Sequence, residues 1–446
     1  MSLPNSYPEH YTINTNSPYY RELIPKPMFD ALFEKAKVMA IGFLCQMDPS
    51  HADLYKTQFP LIYPELEAPF FKQGLYEMFA GCLDPESTNF KFVMKSVVAK
   101  IVCYGRYCIE RNLYQEELNK IQIKKPIYIV ALPRSGSTFT HTVLGCDPKS
   151  KKVLFYEHLA PGSHTMTKEA RLKISEMIIG QVTSEGKDLN KCHNMDNMMV
   201  PEEELFFMEG LAHSYIFSTS LPRWEQFRQS AFEKDYSKVY EAVLGEMKMS
   251  AIEYPIPEHG YYLMKCVSHF MTMVPFFNIM CADDIEPRIV WIHREPVDEY
   301  KSAFYLMLNG RKKYLGDLGL DDYKWLQESI LKMNEIVLKN AIATREKWIA
   351  EKPERAKQIC DIGFREMITD PIKVSQRIYD QFGLELTQEM KDSMLRIKKE
   401  GDPQKEYGRK EKRNEDFFIP DNEVRERFKW YYEKFGQFMP NYWGDN

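Results

Sequence analysis

Apolar residues follow two different rhythms along this chain, and the change comes near residue 125. Before it, apolar positions recur at helical spacing. The stretch 28–47 sets Ala, Leu, Phe and Met three and four residues apart and predicts a helix. The stretch 90–112 predicts a second. There Phe92, Val93, Val97, Val98, Ile101, Val102 and Tyr104 are too many for a one-sided stripe, which implies burial. Residues 1–25 carry little periodicity. After residue 125, short apolar runs alternate with longer amphipathic stretches. The pattern predicts strands at 127–132, 153–158, 261–266, 288–293 and 357–364. Helices are predicted near 138–146, 168–182, 201–212, 230–250, 296–308, 322–351 and 371–382. Such alternation favours an α/β fold, a parallel sheet flanked by helices on both faces, with ligands at the carboxyl ends of the strands. The expected organisation is a helical N-terminal extension over 1–120, packed on an α/β domain over 121–446.

Bulk properties narrow the partners. The 446 residues are 44% hydrophobic and 28% charged, with a formal net charge of −5, so no basic excess points to nucleic acid or an anionic membrane. Nine scattered cysteines without a Cys-x-x-Cys pair imply reduced thiols, not a disulfide frame or a zinc site. The first ten residues do not read as a signal peptide, and the apolar run 38–45 is too short to span a bilayer. A cytoplasmic protein is expected.

The chemistry concentrates after the first predicted strand, in Pro133-Arg134-Ser135-Gly136-Ser137-Thr138, followed by Phe139. A strand, a small-residue loop and a helix N-terminus make an oxyanion cradle, because backbone N–H groups and the helix dipole point at one spot. Arg134 and the hydroxyls of Ser135, Ser137 and Thr138 can add charge-assisted bonds. With one glycine and no following Lys, this is neither the ATP/GTP loop nor the G-x-G-x-x-G dinucleotide turn.

The stretch resembles the 5′-phosphosulfate loop of the sulfotransferase family, which uses 3′-phosphoadenosine 5′-phosphosulfate. A second motif strengthens the resemblance. Arg294 ends the predicted strand 288–293, and Ser302 follows eight residues later on the next helix. In that family an Arg and a Ser so placed hold the nucleotide 3′-phosphate. Pro296 suits a first helical turn, which sets Ser302 about two turns in. A third element is the predicted strand ending at Lys265, with His269 four residues on and Met264 where the family has Leu. The resemblance implies that Lys265 steadies charge near the sulfuryl group and that His269 is a general base. Segments near Phe382-Gly383-Leu384 and Glu415-Asp416-Phe417 extend it to roughly residues 124–436.

The resemblance implies a P-loop-like sulfotransferase fold and a soluble enzyme that moves a sulfuryl group to a hydroxyl or amine of a small-molecule acceptor. Arg134, Ser135, Gly136, Ser137, Thr138 and Phe139 would hold the 5′ end of the donor, and Arg294 and Ser302 the 3′-phosphate. A basic C-terminal loop, loosely matched by Arg409 and Lys410, would close over the nucleotide. Arg134 stands where the family has Lys; it is bidentate but cannot donate a proton as Lys can, which shifts weight onto Lys265. Glu157, His158, His193 and Glu203 compete with His269 as the base, although Pro201 followed by Glu202, Glu203 and Glu204 also suits a helix first turn. Met195, Met198, Met199, Phe206, Phe207, Met208, Tyr215 and Phe217 would line an apolar acceptor pocket or form core. No metal is expected, and a homo-oligomer is compatible with the sequence. Two other functions fit less of the pattern: a P-loop kinase of a small metabolite, and a silent nucleotide-binding relative.

Overall fold

The computed structural model describes residues 3, 7–12, 15–16, 23–79, 90–183, 195, 197–213, 231–315, 318–400 and 416–440. Its N-terminal part is helical. α1 (Lys26–Met47) buries Phe29, Phe33, Ala36, Ala40 and Leu44, a stripe at three- and four-residue spacing. α2 (Phe90–Leu113) is buried along most of its C-terminal half, including Arg106 and Glu110. Those two charges meet backbone groups of one loop. Arg106 donates to the carbonyls of Pro161, Gly162 and Thr165, and Glu110 accepts from the N–H groups of His164 and Thr165. They pin α2 to the loop 161–165 at the cost of a glycine there. A Cβ on Gly162, at φ +87°, would lie 2.8 Å from the Glu110 side chain.

The sheet has five strands, β1 (Ile127–Ala131), β2 (Ser150–Lys151), β3 (Tyr261–Lys265), β4 (Arg288–His293) and β5 (Ile359–Gly363). All are parallel, in the order β2-β3-β1-β4-β5. The register pairs Ile129 with Lys265 and Ala131 with Ile292, so the carboxyl ends of β3, β1 and β4 lie side by side. Side chains alternate between two cores. Tyr128, Val130, Tyr262, Met264, Ile289 and Trp291 join the larger one, with α1 and α2. Ile127, Ile129, Ala131, Leu263, Val290 and Ile292 face the smaller one. With both faces covered, the strands are apolar nearly throughout.

After β1 come the helices α3 (Ser137–Leu144), α4 (Phe155–Leu159), α5 (Lys168–Thr183), α6 (Leu205–Gly210) and α7 (Ser237–Glu253). After β4 come α8 (Pro296–Leu315) and α9 (Leu320–Glu351), and after β5 comes α10 (Pro371–Phe382). α3 and α10 pack on the smaller core, α8 and α9 on the larger one. The chain thus leaves β1 on one face toward β3, and leaves β4 on the other face toward β5. The reversal opens a crevice at the carboxyl ends of β1 and β4, where doubly wound sheets bind ligands. Among the described residues no helix is long and apolar enough to cross a membrane.

Two expectations need correction. Residues 153–158 do not form a strand; 155–159 are α4, and the edge strand is the short β2. A short apolar run fits either state, and Glu157 decides it, its carboxylate accepting from the Leu154 N–H at 2.8 Å. Nor do Pro201 and the three glutamates open a helix. Pro201 bridges to Leu154, the Glu202 N–H donates to Val153, and α6 starts only at Leu205. Glu202 and Glu203 pair instead with Lys265, and Glu204 faces His269.

Candidate active site

The cradle is built as its residue types demand. After β1 the chain turns through two left-handed residues, Arg134 at φ +64° and Gly136 at φ +82°, and α3 begins at Ser137. Gly136 is required twice over. Its φ is costly for other residues, and a Cβ would lie 2.5 Å from the Phe364 ring. The first-turn N–H groups of α3 face the concavity of this loop, as anion-binding helix starts do. Ser135 and Ser137 are buried and Thr138 half-buried; the Phe139 side chain belongs to the smaller core, leaving its backbone for the cradle.

Three segments converge on the loop. From α8, Ser302 Oγ accepts from Arg134 Nε at 3.1 Å. From the end of β4, Arg294 donates to the Arg134 carbonyl, and its guanidinium lies 4.3 Å from the centre of the Phe364 ring. From the end of β3, Lys265 Nζ donates to Thr138 Oγ1 at 3.2 Å. Lys265 is buried and paired with Glu203 at 3.3 Å and Glu202 at 3.6 Å. Burial opposes its charge, but Glu202 and Glu203 outweigh burial and hold the pKa above the ordinary lysine value. A narrow crevice lined by His293, Arg294, Glu295, Phe364, Phe438 and Met439 runs from Arg294 along the end of the sheet.

The other candidates are placed differently. His269 is fully buried on a short helical turn after β3, stacked on Phe276 with ring centres 4.4 Å apart. Its Nδ1 meets the Tyr240 hydroxyl at 2.8 Å, and its Nε2 faces Glu204. His158 is fully buried, with Nδ1 2.6 Å from Glu246. Burial alone would lower its pKa, yet Glu246 raises it to about 9. Glu157 caps α4, and burial raises its pKa. Glu203, nearly buried, accepts from the Val267 N–H at 3.2 Å and touches Lys265. Met195, Met198 and Phe206 pack in one small cluster, whereas Phe207 and Met208 join the main core and Met199 is exposed. His193, Tyr215, Phe217, Arg409 and Lys410 lie outside the described residues.

One residue escaped the sequence reading. Glu299 is buried one helical turn before Ser302, accepts from Asn334, and feels the charges of Arg294 and Arg134. Burial raises its pKa to about 8 against the opposing pull of Arg294, Asn334 and Arg134. Its three-residue spacing from Ser302 on α8 was a signal for a shared face. The arrangement as a whole can hold two anionic groups side by side, one in the cradle and one at Arg294 and Ser302.

Known proteins resemble this chain in sequence pattern and in fold. The family model described as the sulfotransferase family matches residues 126–388, more than half of the chain. Among solved structures, the sulfotransferase STF1 of Mycobacterium tuberculosis H37Rv aligns with a TM-score of 0.64 at 17% identity, over 86% of this chain and 97% of that one. The sulfotransferase STF9 of Mycobacterium avium aligns with a TM-score of 0.65 at 18% identity, over 85% and 96%. At such identities the two structures speak for the fold. Comparison with curated proteins returns no match. The family match runs from β1 beyond α10 and takes in the cradle, Lys265, Arg294 and Ser302, and the chain belongs to the sulfotransferase family.

Proposed function

We propose that the protein transfers a sulfuryl group from 3′-phosphoadenosine 5′-phosphosulfate to a hydroxyl or amine of a small-molecule acceptor. The observation that supports this reading is the contact between Arg134 and Ser302, which sets the loop 133–138 beside Arg294. A nucleotide with phosphates on both sides of its ribose suits two such corners. The phosphosulfate would rest on Arg134, the first-turn N–H groups of α3 and Thr138. The 3′-phosphate would rest on Arg294 and Ser302.

The transferring group spreads its charge, so the protein's contribution is positioning and electrostatic stabilisation. Arg134 neutralises the leaving oxygen. Lys265, tied to Thr138, stands beside the group in flight. For the base we favour Glu203 over His269. The Glu203 carboxylate pairs with Lys265 at the cradle's edge, whereas the His269 ring is fully buried and stacked on Phe276 in the core. Attack by the acceptor oxygen forms the new S–O bond as the bond to the phosphate oxygen breaks. The acceptor proton passes to Glu203 and the nucleotide leaves with the electron pair. The cysteines of the described residues are free thiols, which suits a cytoplasmic setting.

The test is transfer of labelled sulfate from the phosphosulfate donor across a panel of phenols, alcohols and amines, with magnesium ATP as a control donor. Turnover with the phosphosulfate alone is expected. Failure of both the donor and its desulfated product to bind would reject the reading.

A further inference from the structure

Lys265 and Glu203 face the cradle, and the next residue on each segment takes part in a second cluster. Glu204, Cys266 and His269 bring a carboxylate oxygen, a sulfur and a ring nitrogen within 4.8 Å of one another. All three residues are fully buried. Neither Glu204 oxygen nor His269 Nε2 has a hydrogen-bond partner. The approach of Nε2 to Oε1, 3.8 Å, is too long for a hydrogen bond. A buried carboxylate left in that state is costly.

The surrounding hydrogen bonds fix the orientation of the His269 ring. The Ser268 carbonyl can only accept, so Thr272 Oγ1 donates to it at 3.1 Å. Thr272 Oγ1 therefore accepts from the Tyr240 hydroxyl at 2.6 Å. The Tyr240 proton is used there, so its oxygen accepts from His269 Nδ1–H at 2.8 Å. The ring is thereby oriented with Nδ1–H on Tyr240 and Nε2 turned toward Glu204. A ring nitrogen, a carboxylate and a sulfur face one another in a dry interior.

We propose that Glu204, Cys266 and His269 bind a divalent transition metal, zinc by preference. Thiolate, imidazole and carboxylate together are a zinc donor set. Bonds of about 2.0–2.3 Å can be made from these positions after small side-chain movements. Two anionic ligands balance the dication, and Cys266 gives up its proton to solvent as the metal–sulfur bond forms. The Nδ1–H bond to Tyr240 is the outer contact that orients metal-bound histidines. The ion clips residues 202–204 to the end of β3 and thereby holds Glu203 against Lys265. This site does not depend on the identity of the sulfuryl donor.

The test uses the full chain, stripped with a chelator and titrated with cobalt(II), then with zinc. One equivalent of cobalt should bind with a thiolate-to-cobalt charge-transfer band, zinc should displace it, and zinc should raise the melting temperature. The band should vanish in Cys266→Ser. Glu204→Gln, which keeps the side-chain size, should weaken cobalt binding by roughly 10–100-fold or more, since an outer partner alone is worth that much. A wild-type protein without the band overturns the proposal and leaves His269 and Glu204 as a protonated ion pair. So does a band that persists in Cys266→Ser. The wild-type measurement stands even if a variant fails to fold.

Discussion

Arg134 Nε donates to Ser302 Oγ across 3.1 Å, joining residues 168 positions apart in the chain. The bond uses the hydroxyl as an acceptor and leaves Ser302 its own proton to donate. A phosphate resting on Arg294 can take that proton's hydrogen bond without displacing Arg134. In the proposed function, one hydroxyl would serve the cradle and the second anion corner together.

Loss of Arg294 should therefore be felt through the 3′-phosphate. Arg294→Ala is expected to weaken binding of 3′-phosphoadenosine 5′-phosphate by roughly 10–100-fold, the worth of charged hydrogen bonds. Binding of adenosine 5′-phosphate, which lacks the 3′ group, should change little. Calorimetry with both nucleotides decides it; equal losses would remove Arg294 from the 3′ corner.

Gly136→Ala meets two penalties, a left-handed backbone at φ +82° and a Cβ 2.5 Å from Phe364. The backbone term alone is about 1–2 kcal/mol. We expect a lower melting temperature and weakened nucleotide binding. Adding Phe364→Ala should recover only part of the stability, because it relieves the clash and not the φ. Full recovery would show that the backbone conformation is not strained by alanine.

If Glu203 is the base, Glu203→Gln keeps its shape and loses proton acceptance. The expected result is a fall in kcat of about 100-fold or more, with affinity for the desulfated nucleotide nearly unchanged. Steady-state kinetics beside calorimetry separate the two. A variant with normal kcat returns the role to another group.

Glu299 makes stability depend on pH in a direction opposite to most carboxylates. Burial raises its pKa from 4.5 to about 8, so between those values the folded protein keeps a proton that the unfolded chain releases. Stability from this group therefore falls as pH rises through that window and levels off above it. Glu299→Gln should be more stable than the wild type near pH 8.5, with the difference shrinking toward pH 5. Urea unfolding at both pH values measures it, and a difference independent of pH would contradict the assignment.

Several features were readable from local pattern because local forces set them. The apolar run at β4 and the helix Pro371–Phe382 match their predicted limits. The cradle follows from a strand, one glycine and a helix start. Local pattern failed at residues 153–158, where an apolar run satisfies both periods and one capping carboxylate chose the helix. It failed again at Pro201, where helix-start chemistry was overruled by the ion pairs of Glu202 and Glu203 with Lys265.

The chain's residue order by itself determined the α/β alternation, the anion cradle and the Arg294–Ser302 spacing, since each is written within a few turns of backbone. Only the tertiary structure decided that Arg134 reaches Ser302, that Glu203 rather than His269 borders Lys265 at the cradle, that Glu299 is buried beside two arginines, and that Glu204, Cys266 and His269 meet. Those meetings depend on the order β2-β3-β1-β4-β5 and on which face each crossover takes. Strand order is settled by the burial of whole surfaces against one another, and no short stretch of sequence carries that information.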